Sequence, residues 1–472
     1  MKYISTRGKA PVLSFDDVLL SGLARDGGLY VPETWPQFTD GEIRAFKGLS
    51  YEELAFQIMK PFVGDTVSDT DLKNILADAY SHFDHDEIAP LKKIGDNEWL
   101  LELFHGPTLA FKDMAMQFLG PMFDHVLKAR DERVTIVGAT SGDTGSAAIE
   151  ACRGRDAIDI FILFPNGRVS DVQRCQMTTV DADNVHCIAL DGTFDDCQDM
   201  VKAMFNDQTF RDRFNLSAVN SINWARIMAQ IVYYFWAALK VGGPDQAVSF
   251  SVPTGNFGNV FAGYAARKMG LPVQNFIIGS NSNDILTRFF DSGVMEMSGV
   301  HPTISPSMDI QVSSNFERLL FDLYDGDGEQ VTALIDGFRK SGSFAVAPAN
   351  MTRARELFEG ARFSDAETQA MIKTVHTECG ELLDPHSAIG VAAGRMKRED
   401  TLVPMIELAT AHPAKFPDAV EQAAGIRPEL PARLADLLER PERFETLAND
   451  PGAVQGFITQ TLAAAPNAKV QA

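Results

Sequence analysis

Val134-Thr-Ile-Val-Gly-Ala-Thr-Ser-Gly-Asp-Thr-Gly-Ser146 opens as a β-rich run, passes through a Gly/Ser turn and enters a helical run over 144–152. A second strand, 159–164, follows at once. The same pattern returns later as a strand over 247–252, a Gly turn, a helix over 259–269 and a strand over 273–279. Alternating strand, turn and helix predicts parallel sheets with helices on both faces, the α/β class. Two such units far apart in the chain predict two α/β domains. Ligands of open α/β sheets bind at the carboxyl ends of the strands, where both glycine-rich turns fall.

Between the two units, residues 221–240 carry apolar side chains at Trp224, Ile227, Met228, Ile231, Phe235, Ala238 and Leu239. That rhythm predicts a long helix with one core-facing stripe. Residues 1–98 mix turns with polar amphipathic helices and read as an N-terminal domain. Residues 99–240 and 241–428 read as the two α/β domains, and 429–472 as a peripheral helical segment.

The chain has 472 residues, with 42 basic and 64 acidic side chains and a formal net charge of −22. Its 45% hydrophobic and 22% charged content excludes disordered and fibrous classes. The acidic balance repels phosphate polymers at long range, so neither nucleic acid nor an anionic membrane is expected as a partner. The five cysteines are odd in number and lack C-x-x-C spacing. No disulfide framework or metal site is therefore expected, and a cytoplasmic setting fits. The first residues lack a signal-peptide core, and the longest apolar run, 231–239, is too short to span a bilayer. No outlying hydrophobic helix suggests an obligate interface, so a monomer is expected.

Five segments could carry chemistry. In His105-Gly-Pro-Thr-Leu-Ala-Phe-Lys112-Asp-Met, Thr108 reads as an N-cap and Lys112 as a first-turn residue off the apolar stripe. The positive end of a helix would favour a neutral amine there, the form that makes a Schiff base. A solvated surface lysine is the plainer alternative. Gly138–Ser146 offers backbone donors and hydroxyls before a helix, as an anion site or a tight turn. It is neither G-x-G-x-x-G nor a P-loop. Pro253-Thr-Gly-Asn-Phe-Gly-Asn259 repeats that logic for a phosphate. Thr410 and His412 follow an expected strand over 406–409. Ser313, Ser314, Asn315 and Arg318 could bind a phosphate or carboxylate, or could equally form a capped helix whose arginine pairs locally. Asp143-Thr-Gly and Asp291-Ser-Gly match an aspartic-protease signature, but both lie in helical contexts, where that signature does not belong.

In this order the segments are specific. The chain resembles the threonine synthase family, pyridoxal-phosphate (PLP) enzymes of the tryptophan-synthase-β-like fold, fold type II. The resemblance rests on Gly27-Gly-Leu-Tyr-Val-Pro32, the lysine segment, the 138–146 loop and residues 254–259. It rests further on 308–318, Asp384-Pro-His-Ser-Ala-Ile-Gly390 and 408–416, and it covers roughly residues 1–420.

The resemblance implies Lys112 as the catalytic Schiff-base lysine. It implies Gly255, Asn256, Phe257, Gly258 and Asn259 as the cofactor-phosphate cradle, and Thr410 as the partner of the pyridine nitrogen. Thr140, Ser141, Gly142, Asp143 and Thr144 would hold the substrate carboxylate, with Asp143 standing where many relatives have Asn. Ser313, Ser314, Asn315 and Arg318 would hold the substrate phosphate. The implied cofactor is pyridoxal 5'-phosphate. The implied substrate is O-phospho-L-homoserine, converted with water to L-threonine and phosphate. Threonine dehydratase and a catalytically silent relative are the rival readings within the same fold.

Overall fold

The structure, a computed structural model, describes residues 1–140, 142–218 and 220–464. The described chain forms two compact units. One combines Met1–Ala115 with Ser221–Glu429; the other combines Met116–Asn220 with the chain from Leu430 onward. This is not the partition into 1–98, 99–240, 241–428 and 429–472 expected from texture along the chain. Strand pairing decides it, and strands pair across hundreds of residues.

The first unit is built on a six-stranded sheet. Its strands are β1 (Leu91–Gly95), β2 (Glu98–Glu102), β3 (Val248–Pro253), β4 (Val273–Ser280), β5 (Phe358–Arg362) and β6 (Met405–Ala409). Their order across the sheet is β5-β4-β3-β6-β2-β1. Every neighbouring pair is parallel except β1 with β2. β3 and β6 are buried along their whole length, as central strands covered on both faces must be. The N-terminal residues belong to this unit: Tyr3–Ser5 pairs antiparallel with Tyr30–Pro32.

Five helices position its functional residues. They are α1 (Asp113–Arg130, which continues into the second unit), α2 (Trp224–Lys240), α3 (Gly258–Lys268), α4 (Phe316–Leu323) and α5 (Pro385–Lys397). α2 departs from the expected single stripe, because every residue from Trp224 to Ala238 is buried. A helix apolar on nearly all sides is an interior helix. Its polar members, Arg226, Gln230, Tyr233 and Tyr234, are therefore buried as well.

The second unit carries a five-stranded parallel sheet. Leu216–Ser217, Val134–Ala139, Ile158–Pro165, Val185–Asp191 and Glu445–Ala448 follow one another across it. The C-terminal segment is thus not peripheral. Glu445–Ala448 extends the sheet, and Val454 and Ile458 of the helix Pro451–Ala464 sit fully buried against Phe161, Ile188 and Met204. The segment reads as surface because few of its described residues, Leu437, Val454 and Ile458 among them, are withdrawn from solvent.

Among the described residues, no helix is long and apolar enough to cross a membrane. The cysteines are free thiols; Cys379 is exposed and the other four are buried.

Candidate active site

Strands β3, β6 and β2 are consecutive and parallel, so their carboxyl ends share one edge of the sheet. Two inter-strand spacings separate the outer pair, about 10 Å. From that edge leave the 254–259 loop, Thr410 and the turn that carries Lys112. Local sequence placed the 254–259 loop and Thr410 after strands and left the strand before Lys112 unread; topology makes the three strands neighbours.

Lys112 does not occupy the first turn of a helix. α1 begins at Asp113, and Thr108–Lys112 is a tight turn rather than a capped helix start. Asp113 organises that turn. Its carboxylate accepts the Thr108 N–H at 2.8 Å and the Thr108 hydroxyl at 2.7 Å. Gly106 is required here, since a Cβ would fall 2.4 Å from Asp113 Cβ. A second chain segment clamps the turn. Phe111 N–H donates to the Thr410 carbonyl at 2.8 Å, and His412 N–H donates to the Leu109 carbonyl at 3.0 Å. Ala110 and Ala411 form an antiparallel bridge. Lys112 is half-buried, with Nζ 5.9 Å from the centre of the Phe111 ring.

The Gly255–Asn259 loop joins β3 to α3. Phe257 takes the left-handed conformation, φ 62°, at the helix N-cap. Its ring is anchored against Phe316, centroids 5.1 Å apart. The loop carbonyls are turned away onto another segment. Ser313 Oγ donates to the Gly255 carbonyl at 2.8 Å, and Asn315 donates to the Asn256 carbonyl from both N and Nδ2 at 3.0 Å. What remains at the start of α3 is its set of N–H groups without intrahelical partners, the ordinary setting for a phosphate.

Thr410 is buried, and its backbone is held by the N-terminus of α5. Thr410 N–H donates to Ser387 Oγ at 3.0 Å, and the Ser387 hydroxyl donates in turn to Asp384. Asp384 caps α5 and also accepts from His386 Nδ1 at 2.7 Å. His386 Nε2 then accepts the Ser307 N–H at 3.2 Å, so the ring is protonated on Nδ1. The 384–390 motif thus braces both Thr410 and the chain behind Gly255.

In the second unit, Thr140 and Gly142 lie between Val134–Ala139 and the helix Asp143–Cys152, which Asp143 and Thr144 begin; Ser141 is outside the described residues. Thr140 Oγ1 accepts the N–H groups of Gly142 at 3.0 Å and Gly145 at 2.9 Å. Two donors expected to face a ligand are therefore engaged within the loop. Gln173 Nε2 donates to Asp143 Oδ1 at 2.8 Å, which fixes the carboxylate. Asp143 opens one helix and Asp291 lies in another, Ile285–Ser292, so neither sits in the β-structure of an aspartic protease.

Three family descriptions match along the chain. Residues 2–80 match the threonine synthase N terminus, 86–337 match pyridoxal-phosphate dependent enzyme, and 387–458 match threonine synthase, C-terminal. The threonine synthase of Pseudomonas aeruginosa is 59% identical over 461 residues, covering 98% of each chain. The chain belongs to the threonine synthase family. The solved PLP-bound threonine synthase of Brucella melitensis superposes with a TM-score of 0.96 at 56% identity, covering 98% of this chain and 99% of that one. The Escherichia coli enzyme superposes with a TM-score of 0.82 at 32% identity, covering 98% and 100%. As a member of the threonine synthase family, the protein is a PLP-dependent lyase of fold type II, with pyridoxal 5'-phosphate as its cofactor.

The residues present fit that cofactor. A Cβ at Gly255 would lie 3.1 Å from the Ser307 carbonyl oxygen, so glycine lets the loop pack closely on the 307–310 chain. The Asn259 Nδ2 amide is buried without a hydrogen-bond partner among the described residues. A buried amide donor is seldom left unpaired, and a phosphate oxygen would satisfy it.

Arg318 needs correction. It is 1% exposed and donates to the Tyr30 carbonyl at 3.0 Å, the Ile222 carbonyl at 2.6 Å and Asn315 Oδ1. Only the bond to Asn315 is the local pairing that its sequence equally allowed; the two carbonyls come from distant chain. Arg318 and Asn315 brace the cradle from behind, and Ser313 holds its carbonyl. Ser314 Oγ, 3.5 Å from Asn256 Oδ1, is the looser member of the group.

Another arginine was missed. Arg226, in the first turn of α2, is 3% exposed, and its Nε and Nη1 have no partner among the described residues. Burial pushes its guanidinium down to about 10, which leaves it cationic at neutral pH. The available signal was a lone cation in the apolar run 222–229, close to a helix N-terminus that disfavours positive charge.

Proposed function

We propose that the enzyme converts O-phospho-L-homoserine and water to L-threonine and inorganic phosphate, closing threonine biosynthesis. The observation that carries this reading is the shared sheet edge: the Lys112 turn, Thr410 and the Gly255–Asn259 cradle leave three adjacent parallel strands of one unit. When bound, pyridoxal phosphate supplies an aldehyde for an amine and an electron sink for carbanionic carbon.

Every other part of the work falls to the chain. Lys112 anchors the cofactor between turnovers and, once released, takes the proton from substrate Cα. Departure of the Cγ phosphate requires a second proton to leave Cβ. Water then adds at Cβ, and protons return at Cγ and Cα. One lysine flanked by clamped backbone suits repeated short proton transfers, because its Cα position does not drift between them. Thr410 would offer the pyridine nitrogen of the bound cofactor a neutral hydroxyl.

The substrate phosphate is assigned to Arg226 in place of Arg318. A buried guanidinium with free donors is costly alone and favourable beside a phosphate, which it can grip at two points. That feature favours a phosphorylated substrate over the hydroxy-amino acid of a dehydratase. The substrate carboxylate is assigned to the Thr140–Thr144 loop. A monomer in the cytoplasm is the proposed working form, in keeping with four buried free thiols.

The decisive assay is release of inorganic phosphate from O-phospho-L-homoserine with threonine identified as co-product. Phosphate release without threonine, or deamination of threonine in its place, would overturn the reading.

A further inference from the structure

Asn259 is the last residue of the cradle, and two consecutive tyrosines of α2 converge on it. Tyr233 Oη donates to Asn259 Oδ1 at 2.6 Å. Tyr234 Oη lies 2.8 Å from the same Oδ1 and 2.9 Å from the Asn259 carbonyl oxygen. All three residues are buried, and Asn259 Nδ2 has no partner among the described residues. Adjacent residues of a helix point about 100° apart, so one acceptor meeting both hydroxyls requires a close helix crossing. Gly263 provides it: a Cβ there would fall 2.6 Å from Tyr234 Cε1.

We infer that Tyr233 and Tyr234 are positioning residues for the cofactor phosphate, acting through the side-chain amide of Asn259. An amide rotated by half a turn would present its oxygen to the phosphate and repel it. Tyr233 donates to Oδ1 in preference to the more distant Gln230 Oε1 at 3.4 Å, and Tyr234 shares its one hydroxyl hydrogen between Oδ1 and the Asn259 carbonyl; together they oppose that rotation and hold Nδ2 as the donor. Burial pushes both phenols well above their ordinary value, so both stay protonated and able to donate. The same two bonds withdraw electron density from the amide oxygen and make Nδ2 a better donor, as in other chained hydrogen bonds. The inference rests on the cradle reading and adds to it the group that orients the ligand-binding amide.

The test compares two ligands that differ only in the phosphate. Apoenzyme is titrated with pyridoxal 5'-phosphate and with pyridoxal, reading the visible absorbance of the lysine-bound chromophore. Tyr233→Phe with Tyr234→Phe is expected to lower the preference for the phosphorylated ligand about tenfold, and each single variant about threefold. Asn259→Ala is expected to lower it at least as much, and the tyrosine substitutions are then expected to add nothing. Equal weakening of both ligands, or a further loss of preference in the Asn259→Ala background, would overturn the inference while sparing the cradle. Wild-type enzyme without any preference for the phosphorylated ligand would overturn both. Should the double variant fail to fold, the single variants decide.

Discussion

Lys415 Nζ donates a hydrogen bond to the Thr108 carbonyl at 2.7 Å, across 307 residues of chain. Lys415 is fully buried, and Thr108 also bonds Asp113, beside Lys112. The segment after β6 therefore holds the Lys112 turn through a side chain as well as through backbone. Lys415→Met is expected to lower kcat/KM about tenfold, since losing one buried hydrogen bond of this kind costs about 1.5 kcal/mol or more. Steady-state kinetics alongside a far-UV spectrum would check it; unchanged kcat/KM would show that the backbone clamp suffices.

Lys112→Ala is expected to abolish borohydride fixation of the cofactor and to cut turnover by roughly 10³ or more. The fold should persist, because the turn is held by Asp113 and Thr410 rather than by the lysine side chain. Turnover within tenfold of wild type would remove Lys112 from the mechanism.

The two buried arginines should part company when neutralised. Arg226→Met is expected to raise thermal stability, because an unpaired buried charge is removed. It should also raise KM for phosphohomoserine and lower kcat. Arg318→Met is expected to destabilise by about 3 kcal/mol, leaving the carbonyls of Tyr30 and Ile222 and Asn315 Oδ1 without their donor. Urea titration of both variants, with kinetics on the folded one, checks the pair. A destabilised Arg226→Met would count against the free-donor assignment.

Glu407 lies at the middle of β6, 1% exposed, with Glu98 as the hydrogen-bonding neighbour of its carboxyl. Burial first, then the neighbouring Glu98, push its pKa well above the ordinary carboxylate value, against the pull of Arg395 and Arg398. A raised folded pKa means that the folded state holds the proton more tightly. The associated stability is complete below the unfolded value near 4.5 and is lost as pH climbs towards the folded value. Glu407→Gln is expected to flatten the fall in stability above pH 4.5 and to raise the denaturation midpoint at neutral pH. Parallel pH profiles of variant and wild type would refute this.

Val454→Ala with Ile458→Ala is expected to destabilise the second unit by about 4 kcal/mol, because both side chains are fully buried in its core. Loss of near-UV signal at lower urea in the double variant is the readout. A change within error of zero would return the C-terminal helix to the surface.

Local stereochemistry made much of this legible from residues alone. Glycines between an apolar strand and a helix mark the cradle, because a tight turn packed on neighbouring chain leaves little room for a Cβ, as Gly255 against Ser307 illustrates. β6 ends at Ala409, as the strand expected over 406–409 does. The motif order singled out Lys112, Asn259 and Thr410 as members of one family site.

What residues in sequence could not convey was anything settled by long-range pairing. Lys112 reads as helical because Thr108 resembles an N-cap, yet Asp113 claims the Thr108 hydroxyl and shifts the helix start past the lysine. Arg318 and Arg226 look alike along the chain. Their difference is whether carbonyls such as those of Tyr30 and Ile222 reach the guanidinium, and Tyr30 is 288 residues away. The partition into units follows from β2 pairing with β6 and from Glu445–Ala448 pairing with Val185–Asp191. Side-chain size, charge and backbone preference are properties of single positions, whereas burial and hydrogen-bond partnership belong to pairs that meet only once the chain has folded.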